Sequence, residues 1–277
     1  MRSRIITAAV ALPLFLAVLF LCPVWVLAIV CTGLCTLSVY ELLHNTGITK
    51  DPYLLLVGMI FAAGMPWWVY FGCSAYWLIA GIGALICFVF FYGVFRYESL
   101  KENAGSGADA LLCTVFAAFV FPLCISLMIP VLDDPHGKLL IVMPFAAAWV
   151  SDTFAYFGGR FLGRRKLAPV ISPKKTVEGA ISGVVGACIF LCIYGYILHA
   201  CFDYNVQFIP LVLFGILGAA VGQMGDLSLS MIKRWHGIKD YGNLMPGHGG
   251  VLDRFDSVIF IFPVFVAILQ FFGSMIG

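Results

Sequence analysis

Long apolar runs, broken by short polar interruptions, dominate the chain. A helix of about 20 apolar residues crosses the hydrocarbon core of a bilayer, with a usable range of about 17 to 25. Charges and clusters of Pro, Gly and Asn mark the ends of the runs. Cutting there predicts nine spans, at residues 5–21, 24–44, 53–71, 75–95, 108–130, 138–157, 179–201, 207–232 and 251–275. The pattern predicts an all-α polytopic integral membrane protein.

The composition supports a membrane protein and excludes several other classes. Hydrophobic residues make up 62% of the 277 residues and charged residues 11%, whereas about a quarter of the residues in soluble domains are charged. A net charge of +2 excludes a typical nucleic-acid binder. The ten cysteines lie mostly inside apolar stretches, without the spacing of a zinc site, so we assign them no chemistry.

The basic residues predict the orientation of the spans. With a cytoplasmic N-terminus, fifteen of the sixteen Lys and Arg residues fall on the cytoplasmic side, and only Lys138 lies outside. Nine spans then place the C-terminus on the opposite side. The basic N-terminal run before the first span resembles a secretory signal but lacks a small-residue cleavage site, so we interpret it as a retained signal anchor.

Charge density divides the chain into two regions. Residues 1–137, with about five helices, are mostly apolar, and we interpret them as a transmembrane scaffold or oligomer contact. Residues 138–277, with about four helices, contain the predicted cytoplasmic loops 158–178 and 233–254, which hold ten of the sixteen basic residues. We predict that this second region is catalytic.

Polar side chains follow one helical face at the end of the eighth span. Asp226, Ser230, Lys233 and Arg234 recur at spacings of three and four residues. An ionisable residue within a span is expensive, and a functional site is its default interpretation. The alternative is an interfacial ion pair between Asp226 and a neighbouring base.

The segment that follows has the composition of a shaped loop. Residues 239–250 contain four glycines and a proline, which exclude a helix and let backbone amides approach an anion. His248 alone is a weak signal, because a loop histidine is more often solvated. Asp253 and Asp256 then lie on one face of a helix start, flanking Arg254. The helix dipole alone favours carboxylates there, but this pair also suits Mg²⁺, which prefers one or two carboxylates plus substrate phosphates.

A second polar region begins inside the sixth span. Asp152 and Arg160 lie two helical turns apart on one face. In residues 172–176, hydroxyls flank Lys174 and Lys175 just before a helix start, which predicts a cradle for a polyphosphate. The alternative is a topology signal or a contact with lipid headgroups.

These motifs together resemble those of the phosphatidate cytidylyltransferases, also called CDP-diacylglycerol synthases. One departure is Met245, where the family more often has Leu, Ile or Phe, and this change conserves volume. The C-terminal motif comprises Ser230, Lys233, Arg234, Lys239, Asp240, Gly242, Pro246, His248, Gly249, Gly250, Asp253, Arg254, Phe255 and Asp256. The second motif comprises Asp152, Gly159, Arg160, Gly163, Lys166, Ser172, Pro173, Lys175, Thr176, Glu178 and Gly179.

The resemblance implies the reaction CTP + phosphatidate → CDP-diacylglycerol + pyrophosphate, a step of phospholipid biosynthesis. It also implies dependence on Mg²⁺, with the use of a second cation left open, and a homodimeric enzyme in the lipid bilayer. The short N-terminus suits a bacterial inner membrane, with the active site facing the cytoplasm. Because the lipid phosphate is itself the nucleophile, catalysis needs only positioning and charge neutralisation.

The same resemblance suggests a role for each residue. Asp226 and Asp253 are hypothesised to ligate Mg²⁺, with Asp256 as a further ligand or a support for them. The triphosphate is assigned to Lys174, Lys175, Lys233, Arg234 and Lys239, the nucleotide or phosphate site to His248, Gly249 and Gly250, and the phosphatidate headgroup to Arg160 and Lys166. Ser172, Thr176 and Glu178 join Lys174, Lys175, Gly249 and Gly250 as cofactor-binding residues, and Asp152 is a further substrate-binding residue. Ser230, Asp240 and Arg254 complete the catalytic set.

Other functions fit parts of the pattern. A CTP-dependent polyprenol or phytol kinase would transfer the γ-phosphoryl group and release CDP, and a related cytidylyltransferase would use another phospholipid. A transporter would use Asp152 and Asp226 as an ion pathway, but the polar residues gather at one membrane face and the outer loops are nearly bare. A purely structural membrane protein would have no use for so dense a polar loop.

Overall fold

The computed structural model describes residues 13–98, 107–244 and 249–277, and helices account for most of them. Residues 13–21 are helical. The named helices are α1 (Val24–Tyr40), which runs into a π-helical turn (Glu41–Asn45), α2 (Pro52–Tyr70), α3 (Ala75–Phe95), α4 (Ala108–Ser126), α5 (Met128–Leu132), α6 (Gly137–Leu140), α7 (Val142–Leu162), α8 (Val177–Phe202), α9 (Phe208–Trp235), α10 (Leu252–Phe255) and α11 (Val258–Phe272).

Seven stretches of helix in the described chain are long and apolar enough to cross a membrane, and this confirms the prediction of an integral membrane protein. They agree with the second to eighth predicted spans to within a few residues. Residues 5–12 of the first predicted span lie outside the described residues. The stretches are Val24–Asn45, Pro52–Tyr70, Ala75–Phe95, Ala108–Leu132, Gly137–Leu162, Val177–Phe202 and Phe208–Trp235.

The ninth predicted span, 251–275, is not one continuous helix. It is divided into the four-residue α10 and the 15-residue α11. The break falls at Asp256 and Ser257, where the Asp256 carboxylate accepts a hydrogen bond from the Ser257 backbone N–H at 2.8 Å. Aspartate side chains favour such local bonds with the backbone over helix continuation. The count of nine spans and the orientation of the termini stay predictions.

The first of two compact units comprises residues 1–130 and 236–254. Helix α2 packs against α1 and α4, and α3 packs against α4. A core cluster of Leu54, Leu85, Val89, Leu111 and Ala118 lies where α2, α3 and α4 meet. The described residues of 236–254 return to this unit, so both described ends of the glycine-rich segment lie with the N-terminal helices.

The second unit comprises residues 131–235 and 255–277, and its helices α7, α8, α9 and α11 pack together. Small residues permit a very close approach of α7 and α8, since a Cβ at Gly183 would lie 2.8 Å from the Ser151 carbonyl oxygen. The buried Gln223 amide of α9 donates to the Ser151 hydroxyl at 2.9 Å and to the Ala180 carbonyl at 3.1 Å. One side chain therefore ties three helices of this unit together.

A short β-hairpin departs from the all-α prediction. Strands β1 (Lys166–Ala168) and β2 (Ser172–Thr176) pair antiparallel in the loop between α7 and α8. The Glu178 carboxylate accepts hydrogen bonds from the Arg164 and Arg165 backbone N–H groups at 3.0 and 3.1 Å. This contact closes the base of the hairpin on α8. Because successive strand residues face opposite sides, the side chains of Lys174 and Lys175 leave β2 on opposite faces.

Candidate active site

The best-defined polar cluster of the second unit is centred on Asp226 of α9. The ammonium group of Lys175, from β2, donates to Asp226 Oδ2 at 2.5 Å. The Ser230 hydroxyl, one helical turn further along α9, donates to the other oxygen, Oδ1, at 3.2 Å. The predicted alignment of Asp226 and Ser230 on one face is therefore realised. The ion pair proposed as the alternative interpretation of Asp226 is also present, with Lys175 as the base.

Two further carboxylates, Asp152 and Asp256, contribute to the electrostatic field of this cluster. Asp152 on α7 lies close enough to Asp226 and Lys175 to interact with both electrostatically. Asp256 occupies the turn between α10 and α11, outside the spanning helices. Burial and the negative charge of Asp226 raise the pKa of the Asp256 carboxyl to about 7, against the opposing effect of Lys233. The cluster thus places three carboxylates beside two lysines.

The donor chemistry of the cluster suits a hard divalent cation. In the described parts of the chain, no three His, Cys, Asp or Glu side chains converge tightly enough to hold a metal ion alone. Mg²⁺ does not require such a cage, because it takes one or two carboxylates and completes its shell with water and substrate phosphates. Asp226 and Asp256 fit that mode in their oxygen chemistry, and a cation there would relieve the mutual repulsion of their charges.

The predicted phosphate-binding cations differ in their surroundings. Lys233 is only 7% exposed, whereas Arg234 is exposed and its Nε donates to the Ile171 carbonyl beside the hairpin at 3.4 Å. Lys174 is exposed, unlike its neighbour Lys175, which is partly buried at Asp226. The other exposed cations among the predicted site residues are Arg160 and Lys166 of the second unit and Lys239 and Arg254 of the first. The predicted site residue Asp240, of the first unit, is also exposed.

Several residues of the predicted polyphosphate cradle make local bonds in the structure. The Thr176 hydroxyl caps α8 by accepting the Gly179 backbone N–H at 3.1 Å. Glu178 holds the Arg164–Arg165 backbone, as described above, and Ser172 pairs with Ala168 in the hairpin. These contacts give Thr176 and Glu178 a structural use. A direct contact of Ser172, Thr176 or Glu178 with a nucleotide stays a prediction.

The glycine loop (residues 239–250) and Asp253 belong to the first unit. Asp253 is 8% exposed, and its Oδ2 accepts hydrogen bonds from the backbone N–H groups of Tyr241 at 2.8 Å and Gly250 at 2.9 Å. Gly249 has a φ of 86°, which only glycine adopts readily. The segment 245–248, with His248, lies outside the described residues. The described ends of the loop are therefore joined through one carboxylate.

The structure adds two residues that the motifs do not include. Glu41, only 3% exposed, accepts the Val251 N–H at 2.9 Å and the Leu252 N–H at 2.8 Å. Asn45 donates its side-chain amide to the Tyr241 carbonyl at 2.7 Å. A sequence signal for Glu41 exists, because it is an ionisable residue inside a predicted span. Asn45 carries no comparable signal.

The fold and the site define an integral membrane protein whose carboxylate and lysine cluster suits phosphate chemistry. The chain matches the model of the Cytidylyltransferase family over residues 2–272. It belongs to this family and is therefore a nucleotidyltransferase.

Relatives of similar length carry a more specific name. The chain is 34% identical over 271 residues to the phosphatidate cytidylyltransferase of Staphylococcus haemolyticus (strain JCSC1435), and the match covers 95% of this chain and 97% of the relative. It is also 34% identical over 265 residues to the phosphatidate cytidylyltransferases of Staphylococcus saprophyticus subsp. saprophyticus and Staphylococcus aureus (strain COL), with the same coverage. These similarities extend through both compact units.

Proposed function

We propose that this enzyme transfers the CMP group of CTP to phosphatidate and releases pyrophosphate. An oxygen of the lipid phosphate attacks the α-phosphorus of CTP and forms a new P–O bond. The bond between that phosphorus and the oxygen that bridges it to the β-phosphate breaks, and pyrophosphate leaves in line. The observation that carries the proposal is the 34% identity over 95% of the chain to proteins named phosphatidate cytidylyltransferase.

The charges around Asp226 support a reaction between two polyanions. Two unit negative charges about 4 Å apart repel by roughly 4 kcal/mol at an effective dielectric of 20, so phosphatidate and CTP need cations to approach each other. Lys175 and the buried Lys233 place two such charges at the cluster. On this proposal, Lys175 is shared between Asp226 and the triphosphate, and Lys233 neutralises the charge that develops on pyrophosphate.

We further propose that Asp226 and Asp256 hold Mg²⁺, whereas ligation by Asp253, which the sequence pairs with Asp226, stays a prediction. Bound Mg²⁺ would polarise the phosphoryl oxygens and neutralise charge on the leaving group. Arg160 and Lys166, exposed at the end of α7 and the start of the hairpin, are proposed to receive the lipid phosphate. The site is proposed to face the cytoplasm from a bacterial inner (plasma) membrane. Assembly as a homodimer stays a prediction.

The position of the label in the product tests the proposed reaction. The purified protein, in detergent micelles with phosphatidate and Mg²⁺, should move radiolabel from [α-³²P]CTP into the lipid phase and release unlabelled pyrophosphate. The same reaction with [γ-³²P]CTP should leave the lipid unlabelled and produce labelled pyrophosphate. Chelation with EDTA should stop both processes, and added Mg²⁺ should restore them.

Other results would contradict the proposal in specific ways. Label from the γ-phosphate in the lipid would mean that the site works as a CTP-dependent kinase. Transfer from [α-³²P]CTP that continues in EDTA would remove Mg²⁺ from the proposal but leave the reaction class intact. Absence of transfer to phosphatidate, with transfer to another lipid phosphate, would change the acceptor.

Two adjacent lysines provide a matched test of the Asp226 cluster. Lys175→Met removes the cation bonded to Asp226, and we expect kcat/KM for CTP to fall by about 10- to 100-fold, the effect of losing a charged hydrogen bond. Lys174→Met, a chemically identical change at an exposed position, should have an effect about tenfold smaller. Steady-state kinetics with varied CTP would measure both. Equal losses would contradict a special role for the Asp226–Lys175 pair.

A further inference from the structure

Glu41 and Asn45 lie on the π-helical turn that ends the first long helix, within the first compact unit. They are four residues apart, so both side chains project from the same side of the turn. π-Helical turns are rare and frequently mark functional sites. Here both side chains contact backbone groups within the segment that carries the C-terminal motif. Asn45 bonds to Tyr241, near the start of the glycine loop, and Glu41 bonds to Val251 and Leu252, just beyond its end.

The carboxylate of Glu41 is hydrogen-bonded to the backbone just beyond the end of the glycine loop. Its two carboxylate oxygens each accept one backbone N–H, Oε1 from Val251 and Oε2 from Leu252, at 2.9 and 2.8 Å. Burial of a carboxylate is costly unless it is well hydrogen-bonded, and charge-assisted bonds to backbone amides are among the stronger ones. A neutral residue of this size would be cheaper to bury if Glu41 served only to fill space.

Two glycines of the motif are explained by this carboxylate. A Cβ at Gly250 would lie 2.4 Å from both Glu41 oxygens, and one at Gly242 would lie 2.6 Å from Oε1. Any larger residue at either position would therefore displace Glu41. The absence of side chains at Gly242 and Gly250 is needed for the close approach of the loop to Glu41, whatever else the loop contacts.

The same backbone segment also holds Asp253. The Gly250 N–H points to Asp253, whereas the next two N–H groups point to Glu41, so three consecutive amides are divided between two buried carboxylates. The Tyr241 residue is held at both ends, with its N–H on Asp253 and its C=O on Asn45. Glu41 and Asn45 therefore bind the same backbone segments that Asp253 binds.

We propose that Glu41 and Asn45 are positioning residues for the nucleotidyl transfer, acting by fixing the conformation of the described ends of the glycine loop and of Asp253. This inference rests on the proposed function, because Asp253 is an active-site residue only if that function is correct. It gives the N-terminal helices a part in catalysis that the interpretation of residues 1–137 as a scaffold does not include.

Glu41→Gln tests the proposal because glutamine has the size of glutamate but presents an NH₂ group to one of the two backbone donors. We expect kcat to fall by about 10- to 100-fold, the usual effect of removing a group that orients active-site residues through hydrogen bonds without touching the substrate. The KM for phosphatidate should change by less than about threefold, since the proposed headgroup residues lie outside this loop. Hydrogen–deuterium exchange should increase in peptides that cover the described loop residues and Val251–Asp253.

Asp51→Asn is the matched control. Asp51 is a carboxylate of the same unit and also accepts two backbone N–H groups, from Tyr53 at 2.9 Å and Leu54 at 3.3 Å, but it caps α2 and does not touch the loop. It should lower the unfolding temperature of the detergent-solubilised protein without increasing exchange in the loop or lowering kcat more than about threefold. If Glu41→Gln does not fold, Asn45→Ala provides a milder test, with an expected loss in kcat of about 3- to 10-fold.

The two readouts distinguish failure of this inference from failure of the proposed function. Unchanged loop exchange in Glu41→Gln and Asn45→Ala would overturn the proposed contact role. Increased exchange with an unchanged kcat would mean that the contacts are structural only, and would overturn the positioning role. A wild-type protein that transfers nothing to phosphatidate would refute the proposed function, whereas the exchange data would still decide whether these two residues hold the loop.

Discussion

Asp226→Asn is expected to reduce CMP transfer to phosphatidate by a factor of about 10² to 10³ or more, while the protein still inserts into the membrane. Asparagine keeps the size of the side chain and one carbonyl oxygen, but it removes the charge that pairs with Lys175 at 2.5 Å. Its NH₂ group would face either the Lys175 ammonium or the Ser230 hydroxyl. The variant therefore leaves a partly buried cation without its partner and weakens any divalent cation at the cluster.

The rate with [α-³²P]CTP, measured at saturating CTP and phosphatidate, is the relevant quantity. Asp203→Asn is a suitable control, because Asp203 is an exposed residue of the same unit with a φ of 59°. Asparagine adopts such left-handed backbone conformations readily, so the same chemical change should there be nearly neutral. An Asp226→Asn enzyme with more than about a tenth of wild-type activity would show that the Asp226 charge is not essential.

The sequence predicts the spans well because hydrophobicity alone determines which segments enter a bilayer. The predicted range 75–95 coincides with α3. Its prediction needs no knowledge of the helices that pack against it. The prediction is wrong where a polar side chain interrupts an apolar run, at Asp256 and Ser257, since the local bond there competes with the helix. The pattern of apolar residues also does not predict the β-hairpin, because its five-residue strand β2 is polar along most of its length.

The site is predictable only in part for a related reason. The residues of the Asp226 cluster can be selected from motifs, but the pairing of Lys175 with a partner 51 residues away requires the tertiary fold. The contact of Glu41 with the backbone 210 residues further along the chain is even harder to predict from the sequence. No local spacing relates two such positions. A buried charge inside a span shows that a partner must exist, without showing which one.

Asp253 combines two properties that a single substitution would confuse. Its Oδ2 accepts two backbone N–H groups and so holds the described ends of the glycine loop together. Its negative charge is also the feature that a metal ligand requires. A buried backbone donor without an acceptor costs about 1 to 3 kcal/mol, so any variant that removes the oxygen atoms will disturb the loop regardless of the metal.

Comparison of Asp253→Asn with Asp253→Ala separates these properties. The carbonyl oxygen of asparagine can accept both N–H groups, so Asp253→Asn should lower kcat by about 10² to 10³ while deuterium exchange of Tyr241 and Gly250 stays near that of the wild type. Asp253→Ala should lower kcat at least as much and also increase exchange at both amides. If Asp253→Asn is fully active, the charge has no catalytic use and Asp253 is not an essential Mg²⁺ ligand. If only Asp253→Ala is impaired, the residue acts by holding the loop, in the same way as we propose for Glu41.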